Sequence, residues 1–300
     1  MNLQETYALL RKRATGQWQS LEESPHPRIL LGAATCGRAA GGKALMGCID
    51  QELSDLGIQA TVISVGCLGL CYTEPLVDII KPGLPRITYH VPTPEVLHGL
   101  LSDYLVHDNP RPDLALGSWG EEIAGIPRFW ELPMLKPQVR VVLKNCGNID
   151  PEDINHYLAN DGYQGLARAL SMTPEEVIAE VEKSGIRGRG GAGFPAAQKW
   201  KFCRASPGTE KYLVCNFDEG DPGAFMNRAL VEGDPHALVE GMLIAGYAIG
   251  ATHGFIYGRA EYPLALERLR KALNDAQRDN LLGENILGSG HSFDISIREG

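Results

Sequence analysis

The chain has 300 residues, of which 44% are hydrophobic and 22% charged, with 35 glycines and a formal net charge of −9. This is the composition of a globular protein with room for two domains. No Lys/Arg run supplies the footprint of a nucleic-acid partner, and no stretch reaches the roughly 20 apolar residues of a membrane span.

Residues 1–27 read as a polar amphipathic helix and linker, and the opening MNLQETYALLRKRATG lacks the apolar core of a secretory signal. Seven cysteines, an odd number, behind such an opening argue for reduced thiols or metal ligands, and for a cytoplasmic chain. From Arg28 an apolar strand (ILLGAA) runs into Thr35-Cys36, and a helical stretch follows over 43–56. The β-branched strand 59–65 leads to Cys67; then come LVDII, a Pro82-Gly83 turn, RITYHV, and a helix opened by Thr93-Pro94-Glu95. Thr at the N-cap and Pro at the first helical position make a good helix start. The order β-α-β-β-β-α predicts a thioredoxin-like unit over 28–107.

Residues 108–137 are rich in proline and read as a linker or an extended wrapping segment. A second domain, 138–300, is expected to open with strand VRVVL (139–143), followed by helices starting at Asp150-Pro151-Glu152 and at Thr173-Pro174-Glu175-Glu176, the latter a capping box. The apolar run 241–251 reads as a buried helix. Strands at 212–215, 254–258 and 293–297 alternate with helices, the pattern of a mostly parallel α/β sheet.

Two motifs of this second domain carry chemistry. From Ser184 to Pro195 the chain reads SGIRGRGGAGFP, and Gly188, Gly190 and Gly193 match G-x-G-x-x-G. A helix precedes the glycines where an ordinary dinucleotide-binding turn has a strand. Absent Cβ atoms let backbone N–H groups approach phosphate, Arg187 and Arg189 offer guanidinium forks, and Phe194 and Phe202 flank the loop as stacking surfaces, with Lys199 between them. The alternative is a structural turn with solvated arginines. The second motif, Asn216-Phe217-Asp218-Glu219-Gly220-Asp221-Pro222-Gly223, leaves the C-terminal end of strand 212–215, where open α/β sheets bind ligands. Asn and Asp there can read the edge of a flavin, and a carboxylate can tune it. Alone it is equally a polar turn.

Taken in order, RGRGGAGFP, Lys199–Phe202 (KWKF), YLVCN-x-DEG-x-PG, DPH (Asp234–His236) and EYP (Glu261–Pro263) resemble the NADH-binding FMN flavoprotein subunit of the complex I, NAD-dependent hydrogenase and formate dehydrogenase family. The resemblance implies hydride transfer between NADH and FMN, then one-electron transfer to iron–sulfur centres of partner redox subunits in a multi-subunit complex. It places Gly188, Arg189, Gly190, Gly191, Gly193, Phe194, Lys199 and Phe202 along the nucleotide site. Asn216, Asp218 and Glu219 would hold or tune FMN, with Glu219 as the catalytic candidate. Asp221 stands where the family has Glu, on a shorter arm toward NADH, and Phe217 replaces a small residue. Family members continue past the equivalent of Gly300 with an acidic turn and a cysteine motif, so the flavoprotein domain is expected to be incomplete at its C-terminus.

Gly66-Cys67-Leu68-Gly69-Leu70-Cys71, followed by Glu74-Pro75, resembles the C-x3-C half of a thioredoxin-like [2Fe–2S] ferredoxin, which implies Cys36, Cys67 and Cys71 as ligands. Four ligands are needed. The ferredoxins have a further Cys N-terminal to the Cys36 position, where this chain has Leu30-Leu31-Gly32-Ala33. A continuous helix would carry Cys48 about 18 Å from Cys36; a break at Gly41-Gly42 would bring it closer, but the continuous helix is expected. Cys48, Cys203 and Cys215 therefore read as core thiols. Two readings follow: the enzyme subunit, and a non-catalytic assembly or scaffold protein that keeps the fold without FMN. A dehydrogenase of the ordinary Rossmann type is disfavoured, because no strand precedes the glycines.

Overall fold

The computed structural model describes residues 2–300. Contacts divide the chain into two compact units, each assembled from separated stretches. The N-terminal unit takes Trp18–Pro151 together with Glu232–Asp234; the C-terminal unit takes the segment up to Gln17, Glu152–Val231 and Pro235–Gly300. The division thus falls at Pro151, not at residue 138, and the first helix, α1 (Leu3–Glu22), contributes to both units.

In the N-terminal unit, strand β1 (Arg28–Gly32) leads to a short helical turn, α2 (Thr35–Gly37), and to α3 (Lys43–Asp55). Strands β2 (Thr61–Val65), β3 (Leu76–Ile80) and β4 (Ile87–His90) precede α4 (Pro94–Leu101) and β5 (Ala115–Ser118). The sheet order is β2-β1-β3-β4-β5. β1 and β2 are parallel, and the other neighbours are antiparallel. The first four strands have the thioredoxin-like arrangement that the element order implies. The centre of β1, Ile29–Leu31, is apolar and buried because both faces of the sheet are covered. Ile29 and Leu31 join Leu45, Ile49 and Leu53 of α3 and Leu97, Leu100 and Leu101 of α4 in one core. Leu30 packs with Ile63 and Val65 in another. The Thr93 hydroxyl accepts the Val96 N–H to start α4.

Residues 108–137 pack within this unit, in the manner of a wrapping segment. They add β5 to the sheet, and the Trp119 ring stacks on Phe129 with centroids 5.0 Å apart. The Trp119 indole N–H donates to Thr88, and the Arg86 guanidinium lies 3.6 Å from the Trp119 ring centroid while pairing with the buried Asp78. The expected strand 139–143 is absent. Val139 is 88% and Val141 71% exposed, because no neighbouring strand stands beside them. Segment 232–234 completes this unit: Glu232 accepts from the Thr35 N–H and hydroxyl, and the Asn145 amide donates to Asp234. Gly66 and Gly233 meet backbone to backbone, and a Cβ on Gly66 would lie 2.4 Å from the Gly233 Cα. Gly66→Ala is expected to destabilise this unit by about 1–3 kcal/mol in urea titration, as overpacking does. Gly47→Ala in α3, where a Cβ meets nothing within 4 Å, is expected to be neutral or stabilising by ~0.5–1 kcal/mol.

The C-terminal unit runs through α5 (Ile154–Ala159), α6 (Gln164–Ala169), α7 (Pro174–Ser184) and α8 (Ala196–Ala205) to β6 (Tyr212–Phe217). It continues with α9 (Met226–Gly233), α10 (Pro235–Ile249), β7 (His253–Gly258), α11 (Pro263–Arg278) and β8 (Asp294–Glu299). The sheet β6-β7-β8 is wholly parallel, the outcome expected of strands alternating with helices. The capping box at Thr173 and Glu176 is formed, and the apolar run around 241–249 lies in the largely buried α10. From α1, the Tyr7 hydroxyl donates to the Gly162 carbonyl, and Arg11 and Arg13 pair with Asp161 and Asp279. Among the described residues no helix is long and apolar enough to cross a membrane.

Candidate functional site

The glycine-rich loop is built from its base. Helix α7 stops because Gly185 adopts a left-handed conformation (φ 66°). The Gly188 N–H donates to the Phe194 carbonyl, the Ala196 N–H donates to Ile186, and Arg187 reaches the Gly193 carbonyl, so the two arms of the loop are pinched together. Beyond the pinch the N–H groups of residues 189–193 make no hydrogen bond within the described residues. Gly191 (φ 99°) and Gly193 (φ 61°) need the left-handed region. At Gly190, Gly191 and Gly193 an added Cβ would meet nothing within 4 Å. The loop therefore presents several backbone donors to open space, an arrangement suited to an anion. Gly188, Arg189 and Phe194 are exposed beside them. Pro195 starts α8, on which Lys199 and Phe202 stand three residues apart, hence on one face, and both are exposed.

The second motif leaves β6 as expected. The Asn216 side-chain oxygen accepts the Asp218 N–H at 3.0 Å, which fixes the turn. Asp218 is exposed, with the Arg259 Nε 4.0 Å away. Asp221 is exposed in a turn closed by the Ala224 N–H. Glu219 is the buried polar member, two residues after the buried Phe217. Its carboxylate accepts the Asn227 and Arg228 N–H groups at 3.0 and 3.2 Å, and so caps the start of α9. Its carbonyl accepts from Arg259 at 2.7 Å and from the Tyr262 hydroxyl at 3.4 Å. Arg259 also grips Glu261; that hydrogen bond raises the guanidinium pKa and holds the Glu261 carboxyl below the usual carboxylate range. Burial, followed by the nearby Glu219 charge, pushes the Tyr262 phenol up.

The structure thus gathers Asn216, Asp218 and Glu219 with Arg259, Glu261 and Tyr262. No hydrogen bond or ion pair among the described residues joins the glycine loop to this group. Sequence reasoning gives Arg259 no role, and names Tyr262 only as the centre of EYP (Glu261–Pro263). Glu219→Ala is expected to cost about 1 kcal/mol in urea titration, the usual loss of a helix N-cap, whereas Glu219→Gln keeps an acceptor and most of the stability.

In the N-terminal unit, Cys36 lies in α2, Cys67 is buried after β2, and Cys71 opens an exposed 3-10 turn. The Cys67 sulfur accepts the Gly69 N–H at 3.2 Å, and its thiol faces a Glu74 oxygen at 3.9 Å. Burial pushes Cys67 up to about 12 and Glu74 up to about 7. Among the described residues no three His, Cys, Asp or Glu side chains are gathered as a metal ion requires. The helix between Cys36 and Cys48 is not continuous, because Gly41 (φ 121°) breaks it. Cys48 nevertheless packs on the core, with its sulfur against the Leu45 carbonyl.

Residues 181–300 match the family described as the Nuo51 FMN-binding domain. Over 165 residues the chain is 58% identical to the NADP-reducing hydrogenase subunit HndC of Solidesulfovibrio fructosivorans, covering 55% of this chain and 34% of that protein. Over 170 residues it is 39% identical to the mitochondrial NADH-ubiquinone oxidoreductase 51 kDa subunit of Neurospora crassa, covering 55% and 34%. A solved NAD+-reducing [NiFe]-hydrogenase in the air-oxidised state aligns with 95% of this chain and 45% of its own, at 24% identity and a TM-score of 0.39. The matched region spans 34% of the length of each of the two curated relatives.

Proposed function

We propose that this chain, whose residues 181–300 match the Nuo51 FMN-binding domain, binds FMN and NADH and serves as the flavoprotein part of an NADH:acceptor oxidoreductase. The observation that carries the reading is the row of unpartnered N–H groups at 189–193, open to solvent within the matched segment. Such donors fit a phosphate, and Arg189 adds a guanidinium fork. When bound, the flavin supplies the ability to take two electrons as a hydride and release them singly.

The chain's own residues then have distinct tasks. Gly188, Gly190, Gly191 and Gly193 let the backbone approach the phosphate. Phe194 and Phe202 offer ring faces for stacking, and Lys199, on the same face of α8 as Phe202, adds a cation. Asn216 and Asp218 would offer an amide and a carboxylate at the end of β6 to the polar ring edge, and Asp221 would offer a carboxylate to the nicotinamide nucleotide. Glu219 is a positioning residue. By capping α9 and tying Arg259 and Tyr262 to its carbonyl, it holds the turn that carries Asn216 and Asp218. The partners of this reading are iron–sulfur redox subunits of a multi-subunit complex, with the chain on the cytoplasmic side and not inserted in the membrane.

The test is to titrate the purified chain anaerobically with FMN, following flavin fluorescence, and then to add NADH. Saturable binding and bleaching of the visible flavin absorption are expected. Gly190→Glu, which places a carboxylate among the loop donors in open space, is expected to weaken FMN by at least ~100-fold, or about 2.7 kcal/mol. A chain that ignores FMN, or a variant that binds it unchanged, sinks the reading.

A further inference from the structure

We propose that the N-terminal unit holds no iron–sulfur cluster, and that Cys67 and Glu74 form a buried thiol–carboxyl pair beside the turn that carries Cys36. A [2Fe–2S] cluster needs four ligands, normally cysteine thiolates. Cys36, Cys67 and Cys71 supply at most three. The stretch in front of Cys36 supplies none, for a reason visible in the packing. Leu31 belongs to the core that includes α3 and α4, while Leu30 turns to the opposite cluster. Gly32 has no side chain, and a Cβ built there would lie 3.1 Å from a Glu74 carboxylate oxygen and 3.4 Å from the Leu76 carbonyl. Ala33 is fully buried.

Glu74 is itself 8% exposed and turned inward. One of its oxygens accepts the Leu76 N–H at 3.1 Å, and the other faces the Cys67 thiol at 3.9 Å. The oxygen held by Leu76 also lies 3.0 Å from where a Gly37 Cβ would be. The carboxyl therefore fills the gap between the end of β1, the turn carrying Cys36, and Cys67. The Cys67 sulfur is already engaged by the Gly69 N–H. No other thiol makes up the number. Cys48 packs on the α3 core, and the Cys146 sulfur lies where a Cβ on Gly233 would approach within 2.6 Å. Cys203 and Cys215 belong to the other unit. The donor set present does not fit the group that the cysteine spacing suggests, so this unit is not a relay for electrons.

The experiment is anaerobic purification of the full chain, incubation with ferrous iron and sulfide, and desalting. Iron, acid-labile sulfide and the EPR spectrum after dithionite reduction are then compared for the wild type and Cys67→Ser. Sub-stoichiometric iron, or iron retained equally by Cys67→Ser, supports the proposal. Two irons and two sulfides per chain with a reduced-cluster signal, both lost in Cys67→Ser, overturn it. An infrared S–H stretching band that disappears in Cys67→Ser and shifts in Glu74→Gln is also expected. Absence of a Cys67 S–H band from the correctly folded wild type overturns the thiol–carboxyl assignment.

Discussion

Glu240→Ala is expected to destabilise the C-terminal unit by about 1–3 kcal/mol, the penalty for leaving buried donors without their acceptor. The Glu240 carboxylate is 9% exposed and accepts three hydrogen bonds: from the Tyr157 hydroxyl at 2.6 Å, the Tyr163 N–H at 2.8 Å and the Leu166 N–H at 3.0 Å. The two N–H groups belong to the start of α6, where Tyr163 is held in a left-handed conformation (φ 60°) with no cap of its own. Glu240 is thus the cap of α6, delivered from the middle of α10. The fit is close, since a Cβ on Gly165 would stand 2.9 Å from a Glu240 oxygen. Alanine would leave buried donors without their acceptor. Glu240→Gln keeps one oxygen but turns an NH2 toward N–H groups, so an intermediate loss is expected. Urea titration of the three proteins decides the matter, and a loss below ~1 kcal/mol for alanine would contradict the capping role.

Acidification from neutral pH to pH 4 is expected to weaken the same unit by about 3 kcal/mol through His236. This ring is buried; one nitrogen meets the Tyr163 hydroxyl at 2.8 Å, and Nε2 has no hydrogen-bond partner among the described residues. Burial pushes its pKa from 6.5 down to about 4. Above pH 6.5 both the folded and unfolded chains hold it neutral, and the stability is intact. As pH falls below 6.5 the unfolded chain takes up a proton that the folded chain refuses, and stability drops by ~1.4 kcal/mol per pH unit. Below pH 4 both states are protonated and the decline from this group ends. Urea midpoints of wild type and His236→Asn across this window give the measurement. The difference between the two should narrow as pH falls, and parallel profiles would refute the assignment.

Much of this was legible in the chain itself. β1, β2, β3 and β4 are short apolar runs between turn residues, so their thioredoxin-like order could be read directly. The glycine loop announced itself by density alone, and it is held at its base by the Gly188–Phe194 and Ala196–Ile186 hydrogen bonds. Three things were hidden. Prolines disguised β5, whose place is secured by Trp119 and Phe129, a pairing that no local pattern reveals. Val139–Leu143 has strand-forming side chains but no neighbouring strand to bond, and intrinsic preference does not supply one. Glu219 and Glu240 look like polar turn and helix residues. Their partners lie 8 and 9 positions away for Glu219 and more than 70 for Glu240, beyond the reach of any short motif.

The interleaving of the two units bears on how the protein is made. A ribosome releases Trp18–Pro151 early, yet Glu232–Asp234, which engage Thr35, Gly66 and Asn145, emerge only after residues 152–231. The segment before Gln17 waits in turn for Asp161, Gly162 and Asp279. Local strand pairing in the first unit can begin during synthesis, but closing these long loops carries an entropic cost and slows folding. Neither half therefore finishes as a vectorial product of translation. The N-terminal unit completes only once Glu232–Asp234 have emerged, so a nascent chain stalled before Glu232 would expose an unfinished N-terminal unit to chaperones and proteases.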